Sequence, residues 1–314
     1  MTNRFTVVVS FSLLLAFASC QKFKGSQTVP AYIHIESIGV ECDYYTYGAN
    51  TSNITDAWVY VDDQIIGSYE LPATFPVLKN GQHKVSIYGG ICMDGISGSR
   101  GPYSFYKPIV YEGLNLEEDG IDTLCPTVTY YPIGEGVMIG WMEDFETGNS
   151  LLPVSQSDTN IMRVSGDEAW RSVNSYYSGK VVLPPDSLDF TVASSDELTC
   201  HTQLMGEKPL YLEMDYKTND TIFVGVIYYQ NHTLVQWPLV KVLPTDTEND
   251  VPQKWKKIYI NLGKLMHEHE SASYFKIYLS SDLTLAPEFE QPDYVHPHKW
   301  RYYYFDNLKV LYRQ

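Results

Sequence analysis

Apolar residues along this chain fall in short alternating runs separated by turn residues, and helical spacing is almost absent. In the first half, Ala31-Tyr32-Ile33-His34-Ile35 and Trp58-Val59-Tyr60-Val61 read as strands. Asp62-Asp63 then leads into Gln64-Ile65-Ile66-Gly67, a hairpin signal. Lys79-Asn80-Gly81 is a second turn, with glycine supplying positive φ, and His83 to Tyr88 follows as a strand. Ser104 to Tyr111 and Thr127 to Tyr131 complete the set, and Pro132-Ile133-Gly134-Glu135-Gly136 marks a domain boundary.

The second half carries longer runs. Strands are predicted over Val137 to Glu146, Asn160 to Val164, Lys180 to Leu183, Leu188 to Ala193, Leu210 to Lys217, Thr221 to Gln230, Lys256 to Leu262, Tyr274 to Leu279 and Tyr302 to Tyr312. Leu210/Leu212/Met214, Ile258/Ile260/Leu262 and Phe275/Ile277/Leu279 alternate with mostly polar neighbours, which predicts one buried and one wetted face. About ten strands in roughly 180 residues suit a jelly roll, and Leu262 to His269 reads as one helical turn or a loop. The expected architecture is all-β: a sandwich over residues 30–133, then a jelly roll over 137–314.

The N-terminus breaks this pattern. Arg4 precedes an apolar run from Phe5 through Ala18, about 14 residues long and shorter than the roughly 20 that span a bilayer. Small residues then lead to a cysteine in Ala16-Phe17-Ala18-Ser19-Cys20. A basic start, a short apolar core and a small-residue exit predict a signal peptide over residues 1–19. Ala-Ser-Cys resembles the lipobox of bacterial lipoproteins, which implies lipidation of Cys20 and a membrane anchor, although Phe17 stands where the strict motif has Leu. Residues 20–29 read as a polar tether. Surface lipoproteins of Bacteroidota often carry an acidic cluster there; Gln21-Lys22-Phe23-Lys24 has none, which points weakly to a periplasmic display and leaves both faces of the outer membrane open.

Composition narrows the functional classes. The formal net charge of −16 and the lack of a basic cluster argue against nucleic acid as a partner. The 26 tyrosines fit strands, and some could serve as stacking platforms. With Cys20 lipidated, Cys42, Cys92, Cys125 and Cys200 remain, and a disulfide among the first three is plausible in an oxidising compartment, its pairing open. The spacing lacks a CxxC pair, so no zinc site is expected.

Two resemblances sharpen the expectation. Val59-Tyr60-Val61-Asp62-Asp63, Ile66-Gly67, Leu71-Pro72-Ala73 and Asn80-Gly81-Gln82-His83-Lys84-Val85 resemble PEGA-like or immunoglobulin-like sandwiches, with Asp63 replacing a usual glycine. That implies a spacer or envelope-adhesion unit. The second half resembles the jelly-roll superfamily of carbohydrate-binding modules and galactose-binding-like domains. The match rests on Glu143-Asp144-Phe145-Glu146-Thr147-Gly148 at the start and Tyr304-Phe305-Asp306-Asn307-Leu308-Lys309-Val310 at the end, with the runs at Tyr211 to Lys217 and Trp255 to Leu262 between them. The resemblance implies that first and last strands pair. It also implies a structural Ca²⁺ held by Glu146 and Asp306, with Asp144 as a further ligand and Ser157-Asp158-Thr159-Asn160 completing the shell.

Glycan recognition stacks flat rings on pyranose faces and reads hydroxyls with polar groups. The candidates are Trp170, Tyr176, Tyr177 and Trp237, with Trp300 beside them; Tyr229, Tyr259 and Tyr278 are candidates for a wetted sheet face. His267-Glu268-His269-Glu270 and His296-Pro297-His298 read as solvated loops, since neither has the HExxH spacing. No nucleophile elbow, phosphate loop or dinucleotide fingerprint is present, and no pair of carboxylates stands out for glycoside hydrolysis. The expected function is therefore non-catalytic binding of a glycan or envelope polymer, with a structural or adhesion role toward a protein partner as the alternative.

Overall fold

The computed structural model describes residues 29–154, 157, 159–185, 189–198, 208–282 and 299–313. Cys20 and the other residues of 1–28, Asp158, Cys200, His296 and His298 lie outside the described residues.

The chain is all-β. Its first half contains β1 (Ala31–Ile35), β2 (Gly39–Glu41), helix α1 (Tyr44–Tyr47), β3 (Asp56–Val61), β4 (Gln64–Glu70), β5 (Ala73–Val77), β6 (Gly81–Cys92), β7 (Arg100–Pro102), β8 (Tyr106–Lys107), β9 (Ile109–Leu116), β10 (Ile121–Leu124) and β11 (Thr127–Tyr130). One layer runs β4-β3-β6-β7, with β9 also on β6. Facing it are two small sheets, β10-β1-β5 and β2-β11-β8, in which β1–β10 and β2–β11 are parallel. Asp62 and Asp63 both have positive φ, as a two-residue hairpin between right-twisted strands requires. The turn at Lys79-Asn80-Gly81 is present, but it carries the chain from β5 to β6 in a different sheet rather than closing a hairpin.

The second half contains β12 (Met138–Glu143), β13 (Leu151–Pro153), β14 (Met162–Ser165), β15 (Tyr177–Leu183), β16 (Thr191–Ser194), β17 (Leu210–Thr218), β18 (Ile222–Gln230), β19 (Thr233–Val242), β20 (Lys256–Asn261), helix α2 (Gly263–Glu268), β21 (Phe275–Ser280) and β22 (Arg301–Tyr312). One sheet runs β14-β15-β22-β17-β20 with β12 also on β22; the other runs β13-β16-β21-β18-β19. First and last strands pair, from Met138 opposite Tyr312 to Glu143 opposite Leu308. Leu210, Leu212, Met214, Ile258, Ile260, Ile277, Leu279, Leu308 and Val310 fill the core between the sheets. Burial of such side chains contributes roughly 1.5–3 kcal/mol each, which locks the register of every strand that presents them.

Three expectations need correction. First, the alternating face of β17 and β20 that should be wet is covered: every residue from Leu210 to Thr218 is buried, and Tyr259 and Tyr278 are buried as well. Second, Cys42, Cys92 and Cys125 are all free thiols, so the disulfide among them is not formed. Third, β19 escaped the pattern. Pro238 sits inside it, and an edge strand can hold a proline because one side of its backbone needs no partner.

Candidate functional site

The cover on the β17–β20–β22 face comes partly from the first sandwich. The outward side chains of β17 are Tyr211, Glu213, Asp215 and Lys217, and the registers place Tyr259 and Lys309 beside Glu213. Glu213 is 0 % exposed. It accepts hydrogen bonds from the Tyr103 hydroxyl at 2.8 Å and the Tyr130 hydroxyl at 3.0 Å, both from the first sandwich. Lys257 Nζ lies 2.9 Å and Lys309 Nζ 3.4 Å from its other oxygen. Burial alone would raise the Glu213 pKa, but the two ammonium groups outweigh it and hold it below the usual carboxylate range. Lys309 also donates to the Tyr47 carbonyl at 2.7 Å, and its pKa is lowered by burial. Tyr211, Tyr259 and Leu311 join the hydrophobic core of the first sandwich.

The first sandwich also meets the free edge of β20. Asp94 N–H donates to the Tyr259 carbonyl and Asn261 N–H donates to Asp94 Oδ1, each at 2.8 Å. Nearby, Asn53 Nδ2 donates to the Lys257 carbonyl at 3.0 Å and Lys257 Nζ donates to Thr51 Oγ1 at 3.1 Å.

The far end of the same face is covered from within the jelly roll, by the segment around the 3₁₀ turn Gly166–Glu168. Lys217 Nζ lies 4.2 Å from the Tyr304 ring centroid and 5.0 Å from that of Trp255, and donates to the Glu168 carbonyl at 3.3 Å. Burial lowers its pKa. Glu168 accepts from the Tyr304 hydroxyl and pairs with Lys180. Trp170 N–H donates to Ser178 Oγ at 2.8 Å, and Ser178 Oγ donates to Asp306 Oδ2 at 2.5 Å. Burial raises the Asp306 pKa to about 8.

Between the two covers lies a cleft of about 510 Å³. Asp215, Tyr216, Lys257 and Ile258, all buried, form its depth. Thr51, Ser52, Cys92, Trp170 and Trp255, all half-buried, form its walls, and exposed Asn53, Gly95, Ser97 and Lys256 stand at its mouth. The two indoles meet edge to face, with centroids 6.0 Å apart and planes at 81°. The Trp170 Nε1–H is buried and has no hydrogen-bond partner among the described residues. Asp215 is held by Asn307 Nδ2 at 2.8 Å, with Lys257 Nζ at 3.9 Å, and burial raises its pKa.

Of the predicted aromatic residues, only Trp170 lines this cleft. Tyr176 shares its loop and Tyr177 opens β15, and both are exposed; the Tyr176 hydroxyl donates to the Val173 carbonyl, and Arg163 lies over the Tyr177 ring at 4.2 Å. Trp237 sits on β19 in the opposite sheet near His269, and His269 stacks on Tyr228 at the end of α2 rather than in a solvated loop. Trp300 is exposed just before β22. Trp255 was missed as a site residue because it precedes a strongly patterned strand; the signal that could have flagged it is its polar setting, Gln253-Lys254-Trp255-Lys256. Nothing in the sequence signals that Thr51, Ser52 and Asn53 face it.

Asp144, Glu146 and Asp306 come near one another, and the Glu146 charge is among the effects that raise the Asp306 pKa. Both oxygens of Asp144 and of Asp306, and Oε1 of Glu146, accept hydrogen bonds within the chain. Glu146 accepts from the N–H groups of Tyr176 and Tyr177, Asp144 from Glu146 N–H and the Tyr44 hydroxyl, and Asp306 from Ser178 Oγ and Asn307 N–H. Calcium needs six to eight oxygens. Among the described residues no group of three or more His, Cys, Asp or Glu side chains could hold a metal ion, and Asp158 of the expected shell lies outside them.

No protein-family profile matches the chain, and no curated protein matches it. Several solved structures are similar. The family 11 carbohydrate-binding module from Clostridium thermocellum, in complex with a β-1,3-1,4-mixed-linked tetrasaccharide, is 12% identical with a TM-score of 0.34, over 55% of this chain and 94% of that one. The C-terminal family 22 carbohydrate-binding module of Clostridium thermocellum Xyn10B is 11% identical with a TM-score of 0.34, over 57% of this chain and 96% of that one. A mutant of a family 29 carbohydrate-binding module is 8% identical with a TM-score of 0.29, over 56% and 90%. At such identities the likeness concerns β-sandwich architecture alone.

Proposed function

We propose that this protein is a glycan-binding envelope lipoprotein whose ligand enters the cleft between the two sandwiches. The observation that carries this reading is the pairing of two half-exposed indoles, Trp170 and Trp255, with hydroxyl, amide and ammonium groups from Thr51, Ser52, Asn53, Ser97 and Lys256. Sugar rings present apolar faces for stacking and hydroxyl edges for hydrogen bonds, and a cleft of this size and lining offers both. Binding without hydrolysis is the favoured reading, because Asp215 is the one carboxylate among the described lining residues and Asn307 and Lys257 engage it. Glycoside hydrolysis uses two carboxylates flanking the bond. A glycan array read with the wild type, Trp170→Ala and Trp255→Ala tests this. Signals lost in both variants support the reading, and signals unchanged in both place the ligand elsewhere.

The proposed anchor is a lipid on Cys20, with the body in the cell envelope. Cys20→Ser should move the protein from the membrane to the soluble fraction, and continued membrane fractionation would defeat this part of the reading. A second reading, docking of a protein partner, is favoured by one observation: Val173 is 85 % and Tyr176 56 % exposed on the loop that leads away from the cleft. Cross-linking that captures one stable partner, lost on Tyr176→Ala and Val173→Ser, would support it.

A further inference from the structure

We propose that the cleft is blind and receives the terminus of a glycan chain, with the first sandwich forming its end wall and acting as a specificity element rather than a spacer. This rests on the glycan reading above. A polymer bound along its middle needs a groove open at both ends. A chain lying along the strands toward their Glu213 end would meet Thr51, Ser52 and Asn53, which are tied to the sheet through the Asn53 to Lys257 and Lys257 to Thr51 hydrogen bonds. A chain crossing the strands past β20 would meet the segment from Cys92 to Ser97, fastened to β20 by the two Asp94 bonds. Toward β22 the floor ends at Asp215, behind which Asn307, Asp306 and Ser178 fill the space and tether Trp170.

The exposure gradient agrees. Exposed residues stand at the mouth, the indoles along the walls, and fully buried groups at the bottom. At about 510 Å³ the cleft has the capacity of a small-molecule site. Ser52 is half-buried on the wall and Ser97 exposed at the mouth, so hydroxyls from the first sandwich would read the terminal residue.

The experiment uses the full-length chain with glucan, xylan, mannan and chitin oligomers of roughly two to six units, the size range of a small-molecule site, and with the parent polymers before and after partial hydrolysis. Affinity is read by calorimetric titration, and capacity as protein bound per gram of polymer at saturation. The expected result is that capacity rises in proportion to the number of chain ends while affinity per site stays constant. Ser52→Ala, a small change that leaves Trp170 and Trp255 in place, should weaken oligomer binding about two- to tenfold, the size of one hydrogen bond. Capacity that does not change on hydrolysis would overturn the terminal-recognition proposal while leaving glycan binding intact. Absence of binding to every member of the panel by folded protein would overturn the glycan reading and this proposal with it.

Discussion

Strand β17 carries one alternation from end to end, yet the two ends of its outward face meet different surroundings. At the Glu213 end the first sandwich supplies the cover: two of its tyrosine hydroxyls and two lysines from neighbouring strands satisfy a fully buried carboxylate. At the Lys217 end the jelly roll covers itself, with Trp255, Tyr304 and the Glu168 carbonyl around a buried ammonium. One end is a junction and the other a folded-over loop. The candidate site is what neither covers. A charged residue on a strand face therefore says little by itself about exposure; its partners decide whether it is solvated, welded into a junction or left lining a cleft.

Removing the charge at the junction should have the largest effect. Glu213→Ala strands two buried ammonium groups, and loss of one partner of a buried ion pair costs about 3–5 kcal/mol. Urea denaturation should show that loss, whereas Lys256→Ala, at the exposed cleft mouth, should stay within about 0.5 kcal/mol of wild type. Equal effects would erase the distinction between the two regions.

The next effect concerns Asp306, which sits between the two ends. Its pKa rises from 3.8 to about 8 on folding, so the folded state holds a proton that the unfolded chain releases. Its contribution to stability is fully present below pH 3.8 and is lost as pH rises through about 8. Asp306→Asn mimics the neutral acid, so its melting temperature should fall less than that of wild type between pH 5 and pH 8.5, a range set by that titration. Parallel melting curves would show that Asp306 is ionised in the fold.

The smallest expected effect is that of chelation. Because both oxygens of Asp144 and Asp306 and Oε1 of Glu146 already accept hydrogen bonds from donors within the chain, EDTA should leave the melting temperature unchanged. A lowered melt would show that these carboxylates rearrange around calcium.

The strands that bury apolar side chains on one face were legible in the sequence, because the period of two survives whatever covers the other face. Ala31–Ile35 and the long run from Leu210 emerge at the positions expected. The pairing of first and last strands is also present, but only the resemblance implied it. Less was legible where partners lie far apart in sequence. Tyr103 and Tyr130 give no sign that they meet Glu213, 110 and 83 residues away. The cleft was half legible: Trp170 stood out in a loop, whereas Trp255 looked like the lead-in to a strand. The wall at Thr51 to Asn53 depends on how the two sandwiches pack together, which no local pattern encodes.

The most direct test of the central claim follows the indole N–H resonances of the six tryptophans by NMR while an oligosaccharide from the panel is titrated in. The expected result is that Trp170 and Trp255 shift together and saturate with the binding isotherm, while Trp58, Trp141, Trp237 and Trp300 hold still. Shifts confined to Trp237 or Trp300, with Trp170 and Trp255 unmoved at saturation, would contradict a ligand site between the two sandwiches.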